Sequence, residues 1–148
     1  MTSVVSLGEV TYDDGAHYVG FFVQGAREGQ GTLSHDGITT TGTWHSNGSQ
    51  GATDIVGPSG YHFHGFDVDG EAAGVGELRD KNGNFYQGSF VRGLFEGEGT
   101  MSYANGGRYS GSWKAGLWDG QGQVDYADGG RYVGSFVNRR DVVPAARH

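Results

Sequence analysis

A glycine returns at a nearly fixed interval along almost the whole chain. Gly20, Gly42, Gly65, Gly88, Gly111 and Gly134 are separated by 22, 23, 23, 23 and 23 residues. A period of this length restricts the fold to a stack of small, like units, each leaning on its neighbours. Hung on these anchors, the other residues fall into columns. Two positions earlier stand Tyr18, Thr40, Phe63, Tyr86, Tyr109 and Tyr132. Two positions later stand Phe22, Trp44, Asp67, Phe90, Trp113 and Phe136. A Gly-x-Gly pair follows at Gly29/Gly31, Gly74/Gly76, Gly97/Gly99 and Gly120/Gly122, with only Gly51 in the second unit. Then comes an apolar column, Leu33, Ile55, Leu78, Met101 and Val124. Asp-Gly or Asn-Gly closes most units, at Asp36, Asn82, Asn105 and Asp128.

Within a unit the period is two, which is the period of a strand. Tyr86, Gly88 and Phe90 share one face, and Gln87, Ser89 and Val91 share the other. After a turn, Gly97, Gly99, Met101 and Tyr103 again share a face. Asp-Gly and Asn-Gly favour the positive φ angles of tight hairpin turns. The expectation is therefore an all-β, elongated single-sheet meander of about twelve strands and six 23-residue hairpin units, roughly 50–60 Å long. Rings on one strand can lie over glycines of the next, where no Cβ intervenes. No segment carries a helical stripe, and helix content is expected near zero.

Composition agrees only once the period is known. Thirty glycines and 19 aromatic residues in 148 suit neither collagen, which needs glycine at every third position, nor a disordered chain. There is no cysteine, so neither a disulfide framework nor a thiolate metal site is expected. Residues 1–77 hold ten carboxylates and one base, a net −9; residues 78–148 hold nine bases and seven carboxylates, a net +2. That balance opposes nucleic-acid binding. Residues 1–10 show no basic, apolar leader, and no stretch is long and apolar enough to span a bilayer, so the expected setting is cytoplasmic, with cytoskeletal or membrane association as variants.

The run from Tyr86 to Arg108, and again from Tyr109 to Arg131, resembles a MORN (membrane occupation and recognition nexus) repeat. The likeness extends over residues 1–138: a partial repeat at 6–17, repeats near 18–39, 40–62, 63–85, 86–108 and 109–131, a half repeat at 132–138, and a tail at 139–148. It implies a hairpin solenoid with a groove that serves as a scaffold, binds protein partners and dimerises in some members. It also implies a disputed role in phosphoinositide binding. Thr40, Asn47, Thr53, Pro58 and Asp67 depart from the pattern, so packing is least secure between residues 40 and 72.

The chemical readings are weak beside this. His62 and His64 share one face of a strand while Asp67 and Asp69 point to the other, so the four cannot converge on one metal ion. One Asp or Asn per 23 residues suffices for a turn and is too little for a calcium cage. The Gly-x-Gly pairs open no helix, as a nucleotide loop requires. No nucleophile and base stand in a recognisable arrangement. The expectation is a chain without catalytic activity, cofactor or metal.

What remains is surface. The candidate partner groove is the stripe Tyr86, Phe90, Tyr109, Trp113, Tyr132 and Phe136, which is either saturated by packing on glycines or left partly open to an extended or helical peptide. Leu94, Phe95, Leu117 and Trp118 are read as apolar residues at exposed turns, where earlier units are polar or small. They would serve a two-fold, end-to-end homodimer through the late units, whose charge is close to balance. The alternative is a phosphoinositide tether using Arg108, Lys114, Arg131, Arg139 and Arg140.

Overall fold

The computed structural model describes residues 4–139. Twelve strands follow one another: β1 Val5–Thr11, β2 His17–Val23, β3 Ala26–His35, β4 Ile38–His45, β5 Gly48–Val56, β6 His62–Val68, β7 Glu71–Arg79, β8 Phe85–Val91, β9 Leu94–Ser102, β10 Arg108–Lys114, β11 Leu117–Asp125 and β12 Arg131–Arg139. They form one open antiparallel sheet in strict chain order, an elongated meander. Among the described residues there is no α-helix, and hence no helix long and apolar enough to cross a membrane.

Register places the glycine columns opposite one another: Gly20 faces Gly31, Gly88 faces Gly99, and Gly111 faces Gly122. Beyond each such pair the ladder is interrupted by a bulge, so that Phe22 meets Arg27, Phe90 meets Phe95, and Trp113 meets Trp118. A bulge adds length to one strand and increases its twist. Pairing resumes beyond it for two more residues, which matters for the site below.

The turns differ from the expectation in one respect. Asp36-Gly37 is a tight turn with both φ angles positive, as foreseen. The other tight turns lie at the opposite ends of the hairpins, at Gln24-Gly25, Ser46-Asn47, Asp69-Gly70, Arg92-Gly93 and Ala115-Gly116. Asn105 and Asp128 sit in longer loops, where their side chains accept hydrogen bonds from the amides of Gly107 and Gly130. These are Asx turns, which need a short carboxylate or amide rather than a left-handed residue at that position. Between residues 40 and 72 the ladder runs on, with a single 3₁₀ turn at Pro58–Gly60 replacing the Asx loop.

Candidate functional site

One face of the sheet is a stack of rings. Tyr86 lies against both Gly88 and Gly99, and a Cβ on Gly99 would stand 2.2 Å from its hydroxyl oxygen. Its Oη donates to the Ser89 carbonyl at 2.8 Å, and Tyr109 Oη donates to the Ser112 carbonyl at 2.9 Å. Trp113 Nε1 donates to the Gly99 carbonyl, and Trp44 Nε1 to the Gly31 carbonyl, each at 3.0 Å. The rings meet mostly edge to face, as Tyr86 and Trp113 do at 5.4 Å and Tyr109 and Phe136 at 5.5 Å. This geometry suits the ring quadrupole.

Burial pushes the Tyr86 and Tyr109 phenols up to about 12, against an ordinary value of 10.0. In the unfolded chain both would ionise near their ordinary value, so between pH 10 and 12 the unfolded state holds fewer protons than the folded one. Stability is therefore expected to be fully present below about pH 10 and to be lost as pH rises towards 12. Urea titrations at stepped alkaline pH read this directly. Tyr86→Phe and Tyr109→Phe should each cost about 1 kcal/mol near neutrality, through the lost hydrogen bond, and flatten the alkaline limb. An alkaline limb unchanged in the double variant would show that these phenols are not the cause.

The proposed groove needs correction. Tyr86, Phe90, Tyr109, Trp113 and Phe136 are all buried, because the facing glycines let each ring sink onto backbone. They hold the sheet together and offer little surface. Tyr132 alone of the six is open, at 44% exposure, since no described strand follows β12 to cover it. The turn residues need the same correction. Trp118 is 1% exposed and stacks on Tyr109 with centroids 4.4 Å apart and planes 7° apart. Phe95 is half-buried and stacks on Tyr86 at 4.0 Å. Both lie at the second residue of a strand, on the same face as Met101 and Val124. Leu117 is half-buried, and only Leu94 stands in the open.

The exposed apolar side chains lie elsewhere, at places the sequence reading passed over. Phe21 and Val19 of β2 stand beside Leu7 of β1, and Phe66 and Val75 lie further along the sheet. Their even-odd parity, opposite to the ring columns, was the available signal. On β12, Val133 and Val137 are 66% and 81% exposed.

The basic residues are brought together only in part. Arg108 and Arg131 open β10 and β12 and flank Asp125, whose carboxyl is held below its ordinary range by hydrogen bonds from Gln123 and from Arg131 at 2.8 Å. Lys114 and Arg139 lie at the other ends of these strands, roughly 20–26 Å away at about 3.3 Å per residue. The Arg139 guanidinium rests over the Trp118 ring at 5.8 Å. Arg140 and the rest of the tail lie outside the described residues.

The histidine–aspartate group separates by face. His62 Nε2 and His64 Nδ1 approach Asp54 Oδ1 at 2.6 and 3.3 Å. Burial alone would raise the Asp54 carboxyl, but these two hydrogen bonds outweigh it and hold the group low. Asp67 lies on the ring face, 2% exposed, in a column that elsewhere holds Phe or Trp. It accepts hydrogen bonds from the Ser49 and Thr53 hydroxyls at 2.5 and 2.7 Å. Among the described residues no group of three or more His, Cys, Asp or Glu is placed to hold a metal ion.

The model of the MORN repeat matches residues 18–38, 86–108 and 109–131. No curated protein matches the chain. Among solved structures, one similar to it is the TCP domain of SAS-4 (dCPAP) of Drosophila melanogaster, determined in complex with a proline-rich motif of Ana2 (dSTIL). The identity is 13%, the TM-score is 0.44, and the match covers 88% of this chain and 90% of that one.

Proposed function

Because this chain carries MORN repeats, we propose that it is a non-catalytic scaffold that self-associates through its C-terminal edge and binds a protein partner. The observation that carries self-association is β12. Its outer edge is unpaired among the described residues, and Tyr132, Val133 and Val137 stand exposed along it. An open strand edge bearing apolar side chains is a template for another strand. Identical chains meet most often about a two-fold axis, which sets β12 antiparallel to its copy. A register centred on Gly134 puts Tyr132 across from the partner's Phe136 and keeps Arg131 and the partner's Arg139 out of direct opposition. The near-balanced charge of residues 78–148 favours approach at this end, while the −9 of residues 1–77 opposes it at the other.

Light scattering coupled to size exclusion should give a dimer at micromolar concentration. Val133→Lys with Val137→Lys, both at exposed positions, should leave a folded monomer, since lysines on an edge strand block pairing. A wild-type monomer throughout this range overturns self-association. A dimer indifferent to the two lysines moves the interface away from β12. The phosphoinositide alternative draws no support from the bases, which lie in two separated groups, one neutralised in part by Asp125.

A further inference from the structure

One column decides how the ring face is filled. It lies across the ladder from the second aromatic of each unit, and reads Arg27, Ser49, Ala72, Phe95 and Trp118. In the late units it supplies a flat ring that stacks on a tyrosine. In the first it supplies a flat cation. The Arg27 guanidinium lies 5.0 Å from the Trp44 ring, 5.3 Å from Tyr12 and 5.9 Å from Tyr18, and its Nη2 donates to the Asn47 carbonyl at 2.6 Å. The ring face thus already takes a guanidinium in one of its slots, held by cation–π attraction and one carbonyl.

The next slot is unfilled. Ser49 is too short to occupy it, and Thr40 stands where other units have a large ring. A cavity of about 330 Å³ results, lined by Leu33, Trp44, Asn47, Ile55 and Asp69. Asp69 lies at the tight turn between β6 and β7, with Oδ1 3.5 Å from where a Cβ on Gly48 would stand. Ser49, which lines the cavity, donates its hydroxyl to a second carboxylate, Asp67, which Thr53 also holds. The half of the chain around the cavity carries a net −9.

We propose that this cavity seats an arginine side chain of a protein partner, with the guanidinium paired to Asp69 and its aliphatic stem against Leu33 and Ile55; Trp44, already covered by Arg27, only walls it. The site rests on the reading of the chain as an interaction scaffold, and names the chemistry of what it holds. An apolar wall and an exposed carboxylate at the mouth together fit a guanidinium on an aliphatic stem. A neutral apolar residue would leave Asp69 unused, and an acidic one would be repelled by it.

The test uses the full chain, labelled with ¹⁵N, and the peptide acetyl-Gly-Arg-Gly-amide. Saturable shifts are expected at the Trp44 indole N–H and at the amides of Ser49, Asp69 and Gly70, with a Kd of about 1–5 mM, ordinary for one side chain. The citrulline peptide, of the same shape and uncharged, should bind about tenfold more weakly, and the lysine peptide several-fold more weakly, lacking the planar fork that pairs a carboxylate bidentately. Asp69→Asn should weaken the arginine peptide at least fivefold while leaving the spectrum folded. Ser49→Arg should abolish binding, because it fills the slot from within as Arg27 does one unit earlier. Equal affinity for the arginine and citrulline peptides, shifts confined to other units, or no saturation at ~50 mM, ten times the upper expected Kd, would each overturn the site. A chain that dimerises through β12 yet ignores the arginine peptide removes this site and leaves the scaffold standing.

Discussion

Trp118→Ala should destabilise the chain by about 3–5 kcal/mol, the range for deleting a large aromatic from a packed core. The residue is stacked on Tyr109, meets Phe136 edge-on at 5.3 Å, and donates its indole N–H to Tyr103 Oη at 3.2 Å. Deletion removes these ring contacts and the hydrogen bond to Tyr103, and opens a hole between two units. In a stack stabilised by nearest-neighbour contacts the loss falls on β10 to β12 first. Chemical denaturation followed by far-ultraviolet dichroism measures it. If Trp118 were an exposed contact for a second copy, the same substitution would cost under ~0.5 kcal/mol of folding, as surface substitutions usually do. That outcome would refute the stacked placement.

Gly99→Ala should cost at least ~3 kcal/mol, at the upper end of what a single added methyl does in a packed core. The backbone at Gly99 is extended, so alanine suffers no dihedral penalty there, and the whole effect is collision. The new Cβ would stand 2.2 Å from Tyr86 Oη and within 2.6 Å of two of its ring carbons. Tyr86 cannot step aside, being locked between Phe95, Phe90 and Trp113. Gly116→Ala supplies the contrast: φ there is +83°, but nothing lies within 4 Å of the added carbon. Its cost should be about 1 kcal/mol, from backbone strain alone. Thermal or urea unfolding of the two variants separates space from torsion. A Gly99→Ala protein as stable as Gly116→Ala would mean that the ring does not rest on that glycine.

The strand count, the one-sheet topology and the pairing of rings with glycines were all legible in the sequence, because period two within period 23 leaves one arrangement. What escaped was the bulge. Phe95 and Trp118 share parity with Met101 and Val124, which marked them as inward, but they stand next to an Arg-Gly and an Ala-Gly turn and so read as turn residues. Only the register shift beyond Gly88/Gly99 and Gly111/Gly122 shows that these turns are tight and the strands already begun. The slot at Ser49 was illegible for another reason. A cavity is the absence of side chains, and Thr40, Ser49 and Ala72 read singly as ordinary small residues. Its outline emerges only when Arg27 is seen doing in the first unit what Phe95 and Trp118 do in the late ones.

The carboxylate at Asp67 also has a consequence for cooperativity. Ring-to-ring contact is the coupling that makes adjacent hairpins melt together, and here it comes in two blocks, one built on Tyr18, Phe22 and Trp44 and the other running from Phe63 to Phe136. Across the seam between them, hydroxyl-to-carboxylate bonds and the backbone ladder replace aromatic stacking. Hydrogen bonds of this kind, made to a carboxylate, contribute about 1.5–3 kcal/mol each but carry none of the close packing that couples one ring to the next. The two blocks are therefore expected to unfold in two steps of unequal size in a urea titration, the smaller block of hairpins at the lower concentration.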